Sequence, residues 1–176
     1  MTRYRLVILD ANVVIHLHEI GLWSAMASRR EILLSRTVLE AEALHYPTPE
    51  GNVLIDLNED VRAGRVQVVD VSFAEASAFR ALFDPVYTSL LDPGETESLA
   101  HLHQGGRDDI HICSADGIVY RVLPHLSLAE QGVSLEEILH SLGMSRVLKW
   151  PYTRRFREHW TQQGVQEMLS GIGRKR

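Results

Sequence analysis

Short runs of consecutive apolar residues alternate along this chain with stretches whose apolar residues recur every three or four positions. Leu6-Val7-Ile8-Leu9, Ile32-Leu33-Leu34, the β-branched run over 66–71 and Asp109-Ile110-His111-Ile112-Cys113-Ser114 are the continuous runs. Leu6–Leu9 reads as a strand covered on both faces, and the others as three further strands. Between them the spacing predicts helices over 13–28, with a break at Gly21, and from 38 to 44 after Ser35 or Thr37. Further helices are expected over 73–83 behind Ser72, over 95–102 after the turn Asp92-Pro93-Gly94, and from Asp116 to Val122. Ser134 with Glu137 has the capping-box pattern for a helix that Gly143 ends. Residues 47–52 read as a loop, 53–63 as a short amphipathic stretch, and no compact hairpin is signalled.

Strands alternating with helices predict an α/β fold, a three-layer α/β/α sandwich around a parallel sheet of four to five strands. A length of 176 residues fits about one domain. That domain is expected over 1–145, with a polar helical extension over 146–176 carrying Phe156, Trp160, Val165, Met168 and Leu169.

Charge divides the chain at the same place. The formal net charge of −5 is the sum of −9 over 1–133 and +4 over 134–176. An acidic body argues against polyanion binding by bulk charge, whereas the basic tail invites an anionic partner. Only Lys149 and Lys175 are lysines, so no Gly-Lys-Ser/Thr phosphate loop exists, and neither a GxSxG elbow nor a GxGxxG fingerprint occurs. A lone cysteine, Cys113, excludes a disulfide framework or a cysteine-based zinc site within one chain. Asp10 and Asn12 interrupt the first apolar stretch, and no run approaches a membrane span. A soluble cytoplasmic protein without membrane contact is the expectation.

In an open parallel sheet, ligands bind outside the carboxyl ends of the strands. Asp10 stands where the first strand stops, Glu40 follows the second, Glu95 and Glu97 open the helix before the fourth, and Asp116 comes just after it. Carboxylates gathered at one edge repel each other unless a cation neutralises them. Mg²⁺ or Mn²⁺ suits such oxygen donors and supports phosphodiester hydrolysis.

The ordered motifs Leu9-Asp10-Ala11-Asn12-Val13-Val14-Ile15, Ser35-Arg36-Thr37-Val38-Leu39-Glu40, Gly94-Glu95-Thr96-Glu97-Ser98-Leu99-Ala100 and Cys113-Ser114-Ala115-Asp116 resemble the PIN domain family over roughly residues 5–140. The resemblance implies a metal-dependent endonuclease acting on RNA in preference to DNA, with the toxin of a toxin–antitoxin pair as a frequent role. It assigns Asp10, Glu40, Glu95 and Asp116 as catalytic acids. Asp10, Glu95, Glu97 and Asp116 would be the metal ligands, and Asn12 and Ser114 the supporting polar residues. This chain has Gly-Glu-x-Glu where the family often has an aspartate beside an Ile-Ala pair. Glu95 is preferred as the third acid; Glu97 points about 200° away on an ideal helix and is kept as a neighbour.

Other readings compete. A haloacid-dehalogenase-like phosphatase wants a second aspartate where Asn12 stands and a lysine before its last acid, and has neither. Residues 134–146 resemble half of a helix-turn-helix, which would make the chain a DNA-binding module, but Pro151 interrupts the helix that should follow. An inactive binding protein of the same fold is a further alternative. His16-Leu17-His18 and His101-Leu102-His103 have the His-x-His form, yet i and i+2 do not share a helix face. In the tail, Lys149, Trp150, Arg154, Arg155 and Arg157 suit nucleic-acid binding. Equally, Trp150, Phe156 and Trp160 suit anchors onto the body or a second copy in a homodimer.

Overall fold

The structure, a computed structural model, describes residues 4–175. In chain order its elements are β1 (Leu6–Leu9), α1 (Ala11–Glu19), α2 (Trp23–Ala27), β2 (Glu31–Ser35), β3 (His45–Thr48), β4 (Gly51–Leu54), α3 (Asn58–Arg62) and β5 (Val66–Val69). There follow α4 (Phe73–Arg80), α5 (Pro85–Thr88), α6 (Pro93–Gly105), β6 (Ile110–Cys113), α7 (Gly117–Val122), α8 (Leu135–Ser141) and α9 (Arg154–Leu169). Strands β5, β2, β1 and β6 lie side by side in that order, all parallel, with Val7 opposite both Ile32 and His111.

Side chains alternate across this sheet as a period of two requires. Val7, Leu9, Ile32, Leu34, Val66 and Cys113 face one core with α1, α2 and α8. Leu6, Ile8, Leu33, Val69, Ile110 and Ile112 face the other, beneath α4, α6, α7 and α9. Two buried faces explain why β1 reads as an unbroken apolar run, whereas β5 and β6, at the sheet's edges, admit Gln67 and His111. The result is an α/β fold of three layers with a C-terminal helix. Among the described residues no helix is long and apolar enough to cross a membrane.

Two expectations are corrected. Residues 47–52 are not a loop: β3 and β4 form an antiparallel hairpin, with Tyr46 opposite Val53 and the Thr48 hydroxyl donating to Gly51 O at 2.7 Å. Pro47 within the first strand disguised it, since proline is confined to sheet edges, and Gly51 takes a φ of +128° at the turn. The segment after Ser35 is not an α-helix but a single π turn over Val38–Glu42, closed by Ala43 N donating to Val38 O at 2.9 Å.

The 146–176 segment is packed on the body. Phe156 is buried in the second core, and Trp160 covers Gly117, where a Cβ would lie 2.5 Å from the indole. Arg121 and Glu167 form a bidentate pair, at 2.8 and 3.1 Å. Gly164 lets α9 touch α7, since a Cβ there would sit 2.4 Å from the Arg121 carbonyl oxygen. Gly164→Ala should therefore lower stability by about 1–3 kcal/mol through overpacking against backbone. Denaturant titration would read this, and an unchanged midpoint would refute the close helix contact.

Candidate functional site

The chain passes from β1 to β2 on one side and returns to place β6 on the other. The reversal opens a crevice at the carboxyl ends of β1 and β6, where open α/β sheets take their ligands. Asp10 ends β1 and caps α1: Oδ1 accepts from Val13 N at 2.8 Å, and Oδ2 accepts from Ala115 N at 2.9 Å and from the Ser114 hydroxyl. Ser114 Oγ in turn accepts from Asp116 N at 2.9 Å. Ser114 therefore ties the two loop ends together. Asp116 is exposed and caps α7, accepting from Ile118 N at 3.0 Å.

A third group of acids comes from the start of α6. Asp92 and Glu95 form a reciprocal capping box: Asp92 Oδ1 accepts from Glu95 N at 2.7 Å and Glu95 Oε2 from Asp92 N at 3.1 Å. Glu95 is only 4% exposed. Glu97, on another side of α6, accepts from Thr37 N at 3.2 Å and the Thr37 hydroxyl at 2.6 Å, clamping α6 to the end of β2.

Glu40 does not join this group. It is exposed and pairs with Arg36 at 2.8 Å, which also holds Asp70 beyond β5. Glu42 arrives instead, accepting from Gly94 N at 3.2 Å. The π turn is the reason: with i to i+5 winding, Thr37 and Glu42 fall on one side, and Glu40 swings away. Gly94 makes room, since a Cβ there would lie 2.3 Å from Glu42 Oε2. Sequence reading missed Glu42, whose only signal was its spacing from Thr37. It also missed Asp92, whose signal was the capping spacing to Glu95.

Four of the six acids, Asp10, Glu42, Asp92 and Glu95, have raised pKa values, with neighbouring carboxylates among the causes of each. Burial pushes the Asp10 carboxyl up to about 6 despite its hydrogen bonds, with Asp92 adding to the rise. Glu95 is pushed up to about 9, by burial first and then by Asp92, Asp116 and Asp10. Asp92 is raised by desolvation, Asp116 and Glu97, and Glu42 by desolvation, Asp92, Glu97 and Asp10. Among the described residues no Arg, Lys or His forms an ion pair with any of the six. The donor set is hard oxygen throughout, which suits Mg²⁺ or Mn²⁺. As placed, no three such side chains among the described residues are gathered to hold an ion. The carboxylates that hydrogen-bond spend at least one oxygen on backbone N–H groups, so binding would require rotamer changes.

The remaining predicted residues lie as follows. The Asn12 side chain is exposed and makes no hydrogen bond among the described residues, so nothing shows it steadying a carboxylate. Arg157 is held by Glu137 at 2.8 and 3.0 Å and Arg154 by Glu158 at 2.6 Å, which leaves Lys149, Trp150 and Arg155 as the exposed members of that set outside those pairs. In the first His-x-His, His16 pairs with Glu19 through Nδ1, while His18 bonds Val14 O through Nδ1 and stacks on Trp23. An extended segment and a single 3₁₀ turn separate α8 from α9, so 134–146 does not continue as a helix-turn-helix. Comparison of the chain with protein-family models, with curated proteins and with solved structures finds no match.

Proposed function

We propose that this protein is a metal-dependent endonuclease that hydrolyses phosphodiester bonds at the crevice between β1 and β6. The observation that carries the reading is the set of six carboxylates without a paired cation, most of them with raised pKa values, at the sheet's topological switch. Such a site is unfavourable alone and becomes favourable around a divalent cation. Asp10, Asp116 and Glu95 would hold Mg²⁺ or Mn²⁺, with Glu42 and Asp92 at their flanks. When bound, such an ion neutralises charge at the phosphate and lowers the pKa of water. Ser114 links the Asp10 carboxylate to the Asp116 backbone N–H, the capping box fixes Glu95, and Thr37 fixes Glu97. RNA as the substrate and an antitoxin as a partner are what the motif order resembling the PIN domain family implies, while a cytoplasmic location is the expectation from the lone cysteine and the interrupted first apolar stretch.

Incubation of purified protein with mixed-sequence RNA and DNA tests the reading. Cleavage is expected with Mn²⁺, with RNA favoured, and is expected to stop with a chelator. Persistent cleavage under chelation, or none with any divalent ion, would refute it.

A further inference from the structure

The C-terminal extension reaches the rim of the acidic crevice at one point. Tyr152, in the 3₁₀ turn Trp150–Tyr152, stacks on His16 of α1 with ring centroids 4.0 Å apart and planes 8° from parallel. Its hydroxyl lies along α1 toward the helix N-terminus that Asp10 caps, donating to Asn12 O at 3.4 Å. That distance is at the outer edge for an O–H···O bond, and Asn12 O already serves the α-helical ladder. The hydroxyl thus has a weak partner. It also senses the site: after desolvation, Asp10 is the largest cause raising the Tyr152 pKa, to about 12. Two residues before it Trp150 is 52% exposed, and Lys149 is exposed beside it.

We propose that Tyr152 is a substrate-positioning residue of the acidic crevice, its hydroxyl donating to a phosphate oxygen of the bound strand while the ring is held on His16. A phenol suits this place. Phosphate oxygens are better acceptors than an engaged carbonyl, and tyrosine donates to them in nucleic-acid complexes. A lysine or arginine there would pair with Asp10 and occupy the site itself. The extension would then complete the site as well as pack on the domain. This inference rests on the nuclease reading.

Tyr152→Phe separates positioning from packing, because it keeps the ring on His16 and removes only the hydroxyl. With Mn²⁺ and a labelled single-stranded oligoribonucleotide, kcat/KM should fall about 10- to 100-fold, the worth of one hydrogen bond to a charged oxygen. The thermal midpoint should not move. Binding of the same oligonucleotide, read by fluorescence anisotropy in an Asp116→Asn background whose cleavage is expected to be at least ~100-fold slower, should weaken by a similar factor when Tyr152→Phe is added. Tyr152→Ala should lose thermal stability as well. Wild-type cleavage and binding in Tyr152→Phe would overturn the inference and leave the nuclease reading intact. Absence of cleavage and binding in the wild type would overturn both.

Discussion

Raising the pH of the metal-free protein from about 5 to about 9 is expected to lower its stability by several kcal/mol, and Mn²⁺ or Mg²⁺ is expected to restore much of the loss. Asp10 titrates at 3.8 in the unfolded chain and about 6 when folded, and Glu95 at 4.5 and about 9. Between each pair of values the unfolded chain has released a proton that the folded chain keeps. Folding therefore binds protons, and stability falls as pH rises through that window. Over its full window Asp10 contributes about 3 kcal/mol, at 1.36 kcal/mol per unit, of which only about 1.4 kcal/mol is lost above pH 5; the larger part of the fall between pH 5 and 9 comes from Glu95. A cation that binds the ionised acids acts in the opposite sense, and more strongly the higher the pH. At about pH 8, an ion at about 100 times its Kd adds about 2.7 kcal/mol, or about 5–10 °C in a domain of this size. Thermal melts with chelator and with Mn²⁺ across the range would show this. Glu95→Gln, which keeps a cap acceptor for Asp92 N, should flatten the pH dependence and shrink the metal effect. Melting midpoints indifferent to pH and to metal would mean that the acids are not coupled through a shared site.

Exchanging carboxylates for amides should separate Glu42 from Glu40. Asp116→Asn is the cleanest loss, because Asp116 is exposed and its Oδ1 cap to Ile118 N survives in the amide. It should cut cleavage at least ~100-fold with little change in folding. Asp10→Asn should do the same, although it also disturbs the bonds from Ala115 N and the Ser114 hydroxyl, so its melting midpoint must be read beside its activity. Glu42→Gln should cost about 10–100-fold, the effect of losing a flanking group that tunes metal affinity. Glu40→Gln should cost nothing in activity, since that side chain is spent on an exposed pair with Arg36. A larger loss from Glu40→Gln than from Glu42→Gln would mean that the π turn does not place these residues as described.

Much of the frame rests on local chemistry legible in the amino-acid order. The unbroken run Leu6–Leu9 needed apolar neighbours on both faces, and short strands alternating with helices then pointed to a parallel sheet covered on both sides. Ser72 and Ser134 with a glutamate three residues on fixed two helix starts, since a capping box is a local arrangement of donors and acceptors. Asp10 and Asp116 were legible for the same reason: each stands just past a strand and caps the helix that follows.

Other features depend on partners far away in the chain. Whether Glu40 or Glu42 turns inward is set by a π turn that local spacing does not reveal, and by Gly94 leaving space 52 residues away. The β3–β4 hairpin forms despite Pro47, because its edge position asks for no ladder donor there. The tail's arginines were equally readable as a nucleic-acid face or as ion-pairing partners of an acidic body. Glu137 and Glu158 claim two of them, and Tyr152 reaches the crevice only because Phe156 and Gly164 seat α9 on the body. Periodicity fixes which face of an element is buried, whereas the identity of the neighbour that covers it is a property of the assembled fold.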